Sequence, residues 1–112
     1  MNVRLALPLL LAATLSACVT SKDVSKLDPV FYGSTLRSAE DYVACVGAAW
    51  KGLGTDFEKR AIHGGYELIV DGAMGAESVL SASTYRKKTD VRLSSRLPKR
   101  AQPLGEAANL CL

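Results

Sequence analysis

The chain has 112 residues, with fourteen Lys and Arg against eleven Asp and Glu and a formal net charge of +3 at pH 7. That length is enough for one small domain, whose high surface-to-volume ratio makes it marginal without a covalent or other staple. A single histidine, no C-x-x-C and no H-x-x-x-H leave nothing with zinc-ligand spacing, so no metal and no cofactor is expected.

In chain order, the first segment has a basic start at Arg4, an apolar middle from Leu5 to Leu15, small residues after it, and no acid before Asp23. This is the pattern of a secretory signal peptide over residues 1–17. A transmembrane helix needs about 20 apolar residues, and this run is shorter. Its last residues, Leu15-Ser16-Ala17-Cys18, resemble the lipobox of bacterial lipoproteins. The resemblance implies that Cys18 is lipidated and becomes the first residue of the mature chain, with two acyl chains on its sulfur through a glyceryl group and usually a third on the new amine. Two chains already give stable attachment to a membrane without spanning it. An Asp just after the cysteine tends to mean inner-membrane retention in such proteins; here that residue is Val19, which implies the bacterial outer membrane, facing the periplasm or the cell surface.

The expected mature chain, residues 18–112, keeps thirteen of the fourteen basic residues, because only Arg4 is lost. Its charge is uneven, with seven basic and two acidic residues from 78 to 112 against six basic and nine acidic from 19 to 77. With Cys18 consumed by lipid, Cys45 and Cys111 remain as a pair, and in an oxidising periplasm the simplest expectation is a disulfide.

Residues 19–29 are polar and without sustained periodicity, which predicts a flexible tether after the lipidated cysteine; as a coil of about eleven residues it would span roughly 18 Å. Asp28-Pro29 marks a turn, and Val30-Phe31-Tyr32 is apolar enough to dock on a single α+β domain over 30–112. The strongest signal follows. Ser38 with Asp41 is a capping-box-like start, and Lys51 with Gly52 and Gly54 suits an exit, so a helix is predicted over 39–52. Tyr42, Cys45, Val46, Ala49, Trp50 and Leu53 form one apolar stripe along it. At this spacing core packing is the first reading of Trp50, and a binding pocket the second.

Residues 54–65 fit either a short helix capped by Thr55 and Glu58 or an alternating strand, and are read as loop, with the sole histidine, His63, solvated. Three strands are then predicted over 66–70, 77–86 and 90–97, forming an antiparallel meander with the helix on one side. Val91, Leu93 and Leu97 face inward on the third, opposite Asp90, Arg92, Ser94 and Arg96, and Arg86 to Thr89 make a hairpin connection. Pro103 with Leu104, Ala107, Ala108 and Cys111 predicts a short C-terminal helix over 103–111.

No G-x-S-x-G, phosphate-binding glycine loop or H-E-x-x-H occurs, and a nucleophile-base set would have to be built on His63 alone, so no catalytic residues are expected and the chain is not read as an enzyme. Ser78, Ser81, Ser83, Ser94 and Ser95 are read as solvated strand positions. The basic stretch Arg86, Lys87, Lys88, Arg92, Arg96, Lys99 and Arg100, with Asp90 its one acid, is open to two readings. It is a solubilising face that guards against edge pairing, or a surface for something anionic such as lipopolysaccharide, cell-wall polymer or an acidic protein; nucleic acid does not fit that compartment. Cys45 and Trp50 on a helix ahead of Gly65-Tyr66 also make the domain similar to small envelope lipoproteins with no assigned function, in which a C-x-x-x-x-W helix precedes a Gly-Tyr strand. The expected function is accordingly binding: an accessory, assembly, exclusion or inhibitor lipoprotein with an envelope protein partner, or else a structural lipoprotein linking the outer membrane to the cell wall through the basic face.

Overall fold

Ser38 accepts a hydrogen bond from the Asp41 amide at 3.1 Å, and from this cap a helix runs over Ala39–Gly52 with Glu40 and Asp41 in its first turn and Lys51 in its last. The charges complement the helix dipole at both ends. In the computed structural model, which describes residues 18–112, the elements are α1 (Ser21–Ser25), β1 (Pro29–Thr35), α2 (Ala39–Gly52), β2 (Glu58–Ile62), β3 (Gly65–Gly72), β4 (Gly75–Tyr85), β5 (Lys88–Ser95) and α3 (Gln102–Leu110).

The strands form one five-stranded sheet in the order β1-β5-β4-β3-β2, every neighbouring pair antiparallel. This corrects the expected three-stranded meander behind an N-terminal helix. The three expected strands are the middle of the sheet, and the structure adds both edges, β1 and β2. An edge strand bonds its neighbour along one side only, so it tolerates residues that a central strand does not. β1 begins at Pro29 and contains Gly33, which weakened its strand signal. β2, Glu-Lys-Arg-Ala-Ile, has little to bury on either side; it occupies part of the segment expected to be loop.

The inner face of the sheet carries Leu68, Leu80, Ala82, Val91 and Leu93, all buried, and is covered by α2 and α3. Tyr42, Val43, Val46 and Trp50 project from α2 into this core, and Leu104, Ala107 and Ala108 from α3. Trp50 is fully buried and its indole N–H donates to the Leu104 carbonyl at 3.2 Å, so it belongs to the core and not to a pocket. The Tyr42 hydroxyl donates to the Ala108 carbonyl at 2.6 Å. Both aromatic rings thus bury their apolar bodies while their polar tips find backbone acceptors, which avoids the cost of an unpaired buried donor. A disulfide joins Cys45 to Cys111, with Cα atoms 5.9 Å apart, and fastens α3 to α2. Two expected inward residues lie elsewhere: Leu53, at the C-cap of α2, and Leu97, beyond the end of β5, are both exposed.

Residues 19–29 are folded onto the sheet and do not form a free tether. Thr20 and Asp23 make a reciprocal capping box at the start of α1, and Val24 is fully buried against Ile69, Ala76 and Val79 on the outer face. The Val19 amide donates to the Met74 carbonyl at 2.9 Å and the Val19 carbonyl accepts from the Ala76 amide at 3.0 Å, bridging the chain to Gly75. Gly75 has φ of +102°, and a Cβ there would collide with the Val19 backbone, so the contact depends on glycine. A helix of five residues is too short for periodicity to reveal, yet Thr20-x-x-Asp23 was a legible start signal.

Candidate functional site

α1 crosses only part of the outer face. At its start Arg60 of β2 donates to the Ser21 hydroxyl at 3.3 Å, and just past its end the Leu27 carbonyl accepts from Arg92 at 3.1 Å and from Ser94 at 3.2 Å. No other described element covers the rest of that face, where Tyr32, Ser34, Asp90 and Arg92 are exposed and Glu67, Ser81 and Ser83 half-buried. Strand register places Tyr32, Arg92, Ser81, Glu67 and Arg60 side by side in one row across all five strands. The next row holds Ser34, Asp90, Ser83, Gly65 and Ile62. Tyr85 and Lys88 face each other beyond it, at the closing pair of the β4–β5 hairpin. Tyr32 is 65% and Tyr85 71% exposed, high values for large aromatic side chains on a regular strand. Arg60 lies 3.6 Å from Glu67 and 3.9 Å from Glu58, so the far side of the platform carries interleaved charges of both signs.

The basic stretch does not form one surface. Arg86, Lys87 and Lys88 sit at the hairpin tip and are exposed. Arg92 lies in the middle of the outer face and caps the segment after α1. Arg96 is half-buried and its Nε donates to the Ala76 carbonyl at 2.8 Å, which makes it part of the scaffold. Lys99 and Arg100 follow β5 at its other end, where Arg100 approaches Glu77 at 3.8 Å. β5 has eight residues, so its two ends are separated by about 23 Å at roughly 3.3 Å per residue. Charges that far apart act separately when the screening length is about 8 Å.

The five serines expected to be solvated, Ser78, Ser81, Ser83, Ser94 and Ser95, are also split between settings. Ser78 and Ser95 are buried and bonded to each other at 2.8 Å, Ser94 is buried beneath the chain after α1, and only Ser81 and Ser83 lie on the platform. His63 is exposed in the β2–β3 turn, where its carbonyl accepts from the Ser83 hydroxyl at 3.1 Å. Among the described residues there is no group of three or more His, Cys, Asp or Glu placed to hold a metal, and no helix is long and apolar enough to cross a membrane. A hollow of about 580 Å³ lies between β1 and α3 and is lined by Val30, Phe31, Lys99, Gln102, Gly105 and Asn109 among others.

Among the described residues, two ionisable groups are displaced from their ordinary range. The hydroxyl and amide of Thr20 hold the Asp23 carboxyl below the usual carboxylate range, since both donate to its charged form. Burial pushes the Tyr42 phenol well above its usual range, because the phenolate would be desolvated. Both serve the fold. Cys18 is exposed with a free thiol, one residue before the Val19 bridge. Residues 1–17, where a signal peptide is expected, lie outside the described residues. Comparison with protein-family models, with curated proteins and with solved structures gave no match.

Sequence reasoning identified Arg92 as outward-facing but missed Tyr32 and Tyr85 as a site. Neither position signals exposure by itself: Tyr32 looked like part of an apolar docking run, and Tyr85 became informative only with the register of β4.

Proposed function

We propose that this chain is a bacterial outer-membrane lipoprotein, anchored through Cys18, that acts by binding a protein partner in the envelope and carries out no catalysis. The observation that carries the binding role is the part of the outer sheet face that no other described element covers, where exposed Tyr32 and Tyr85 flank Arg92 and a floor of half-buried Ser81 and Ser83. Tyr and Arg are the residue types enriched in the energetic centres of protein interfaces, and small serines between them leave a partner's side chains room to approach. The interleaved charges of Arg60, Glu67, Arg92 and Asp90 suit a partner with its own mixed charges better than a uniformly anionic surface. An accessory, assembly, exclusion or inhibitor role is compatible with such a platform.

The lipid anchor rests on the lipobox resemblance, supported by the exposure of Cys18. A second reading, linkage of the outer membrane to the cell wall or another anionic envelope polymer, is favoured by the unpaired cations of the β4–β5 tip. The leading reading is tested by placing a photo-crosslinking residue at Tyr32 in the anchored full-length chain. A discrete adduct with one envelope protein is expected, and its absence would overturn the reading.

A further inference from the structure

We infer that the β4–β5 hairpin tip, Arg86-Lys87-Lys88, is a binding site for the carboxylate-bearing polymer of the cell wall, held at the end of the domain opposite its lipid anchor. The inference rests on the second reading above and narrows the basic stretch to three residues.

The turn itself is the first observation. Tyr85 pairs with Lys88, so the hairpin closes through only Arg86 and Lys87, with φ of +50° and +68°. Two-residue turns with positive φ at both central positions strongly prefer Asn-Gly, because a Cβ crowds the backbone in that region. A long cationic side chain at each position is a poor choice for folding, and backbone strain of this kind concentrates where a function requires it. Three consecutive cations result, and no described carboxylate pairs with any of them. The Arg86 guanidinium lies over the Tyr85 ring at 5.2 Å, which steadies a planar fork suited to bidentate recognition of carboxylate.

The second observation is position. β4 runs eleven residues from Gly75, where Val19 is bridged, to Tyr85 at the tip. That is about 34 Å at roughly 3.4 Å per residue, several times the screening length of about 8 Å. Because residues 19–28 are folded against the sheet, Cys18 is held at the Gly75 end. Headgroups of the bilayer that holds Cys18 are therefore out of electrostatic reach of the tip when the domain stands upright, and an extended anionic layer parallel to that membrane is within reach.

The test uses the acylated chain in phosphatidylethanolamine vesicles, the same chain in phosphatidylglycerol-containing vesicles, and purified cell-wall sheets. At low salt the chain is expected to recruit wall sheets to the vesicles, with binding that falls as salt rises. The variant Arg86→Asn/Lys87→Gly/Lys88→Thr is expected to lose about tenfold in wall affinity, as three exposed charge contacts of ordinary strength give, while its melting temperature rises by several degrees as the turn relaxes. A gain in stability with a loss of binding separates the site from the fold. Undiminished binding by the variant, a melting temperature that falls, or wild-type attachment to phosphatidylglycerol instead of the wall would each overturn the inference. Cys18→Ser distinguishes the two proposals: wall binding retained in solution by that variant supports the tip whether or not the anchor holds.

Discussion

Removing the Cys45–Cys111 bond tests what makes so small a domain stable. The cross-link closes a loop with a sequence separation of 66 residues. Loop-closure entropy for a ring of that size gives about 4 kcal/mol of stabilisation, acting mainly by restricting the unfolded chain. Domains of this size have total stabilities of about 5 to 15 kcal/mol, so the bond supplies a large share. The native contacts of α3 should outlast it, because Tyr42 still donates to Ala108, Trp50 to Leu104, and Arg37 to the Cys111 carbonyl at 2.9 Å. Cys45→Ala/Cys111→Ala, built with Cys18→Ser in both arms, is therefore expected to remain folded at low temperature and to melt on the order of 20 °C below the oxidised chain. Urea unfolding monitored by circular dichroism should also show a larger denaturant slope in the variant, whose unfolded state is freer to expand. A midpoint within about 5 °C of the oxidised chain, with an unchanged slope, would refute the entropic account.

Two further outcomes follow from the packing. Val24→Ala should destabilise the domain by about 2 kcal/mol through lost burial and the void left under α1, and hydrogen exchange should lose protection at the Val19 and Ala76 amides; an unaffected midpoint would return residues 19–29 to a free tether. The Tyr42 phenol is raised in the folded state above its unfolded value of about 10, so its contribution is complete below that pH and is lost as pH rises above it. Alkaline titration of stability should therefore show a decline beginning near pH 10 that flattens in Tyr42→Phe, itself less stable at neutral pH by about 1 to 2 kcal/mol for the broken buried hydrogen bond.

How much of this was legible in the sequence depends on how many physical signals each element carried. α2 had a cap, complementary end charges and an apolar stripe, and its predicted bounds match Ala39–Gly52. The disulfide followed from cysteine arithmetic and an expected compartment. β3, β4 and β5 announced themselves because central strands must bury side chains on at least one face. β1 and β2 did not, since an edge strand can include Pro29 and Gly33 or read Glu-Lys-Arg without loss. α1 was obscured by its length, although Thr20 and Asp23 marked its start. The platform was the least legible part: it depends on Tyr32 standing opposite Arg92 and Arg92 opposite Ser81, and register between strands distant in sequence is not written in either one. The basic stretch had the opposite fault, since seven cations close in sequence are spread by β5 over both ends of the sheet.

Photo-crosslinking in intact envelopes tests the central claim most directly. A photoreactive residue replaces Tyr32, Tyr85 or, as a control on the exposed side of α2, Ala48 in the full-length chain, and adducts are resolved by mass. A platform that binds a protein partner predicts the same discrete adduct from Tyr32 and Tyr85 and none from Ala48. No adduct from either tyrosine, or an equal one from Ala48, would contradict the assignment of the outer face as the binding site.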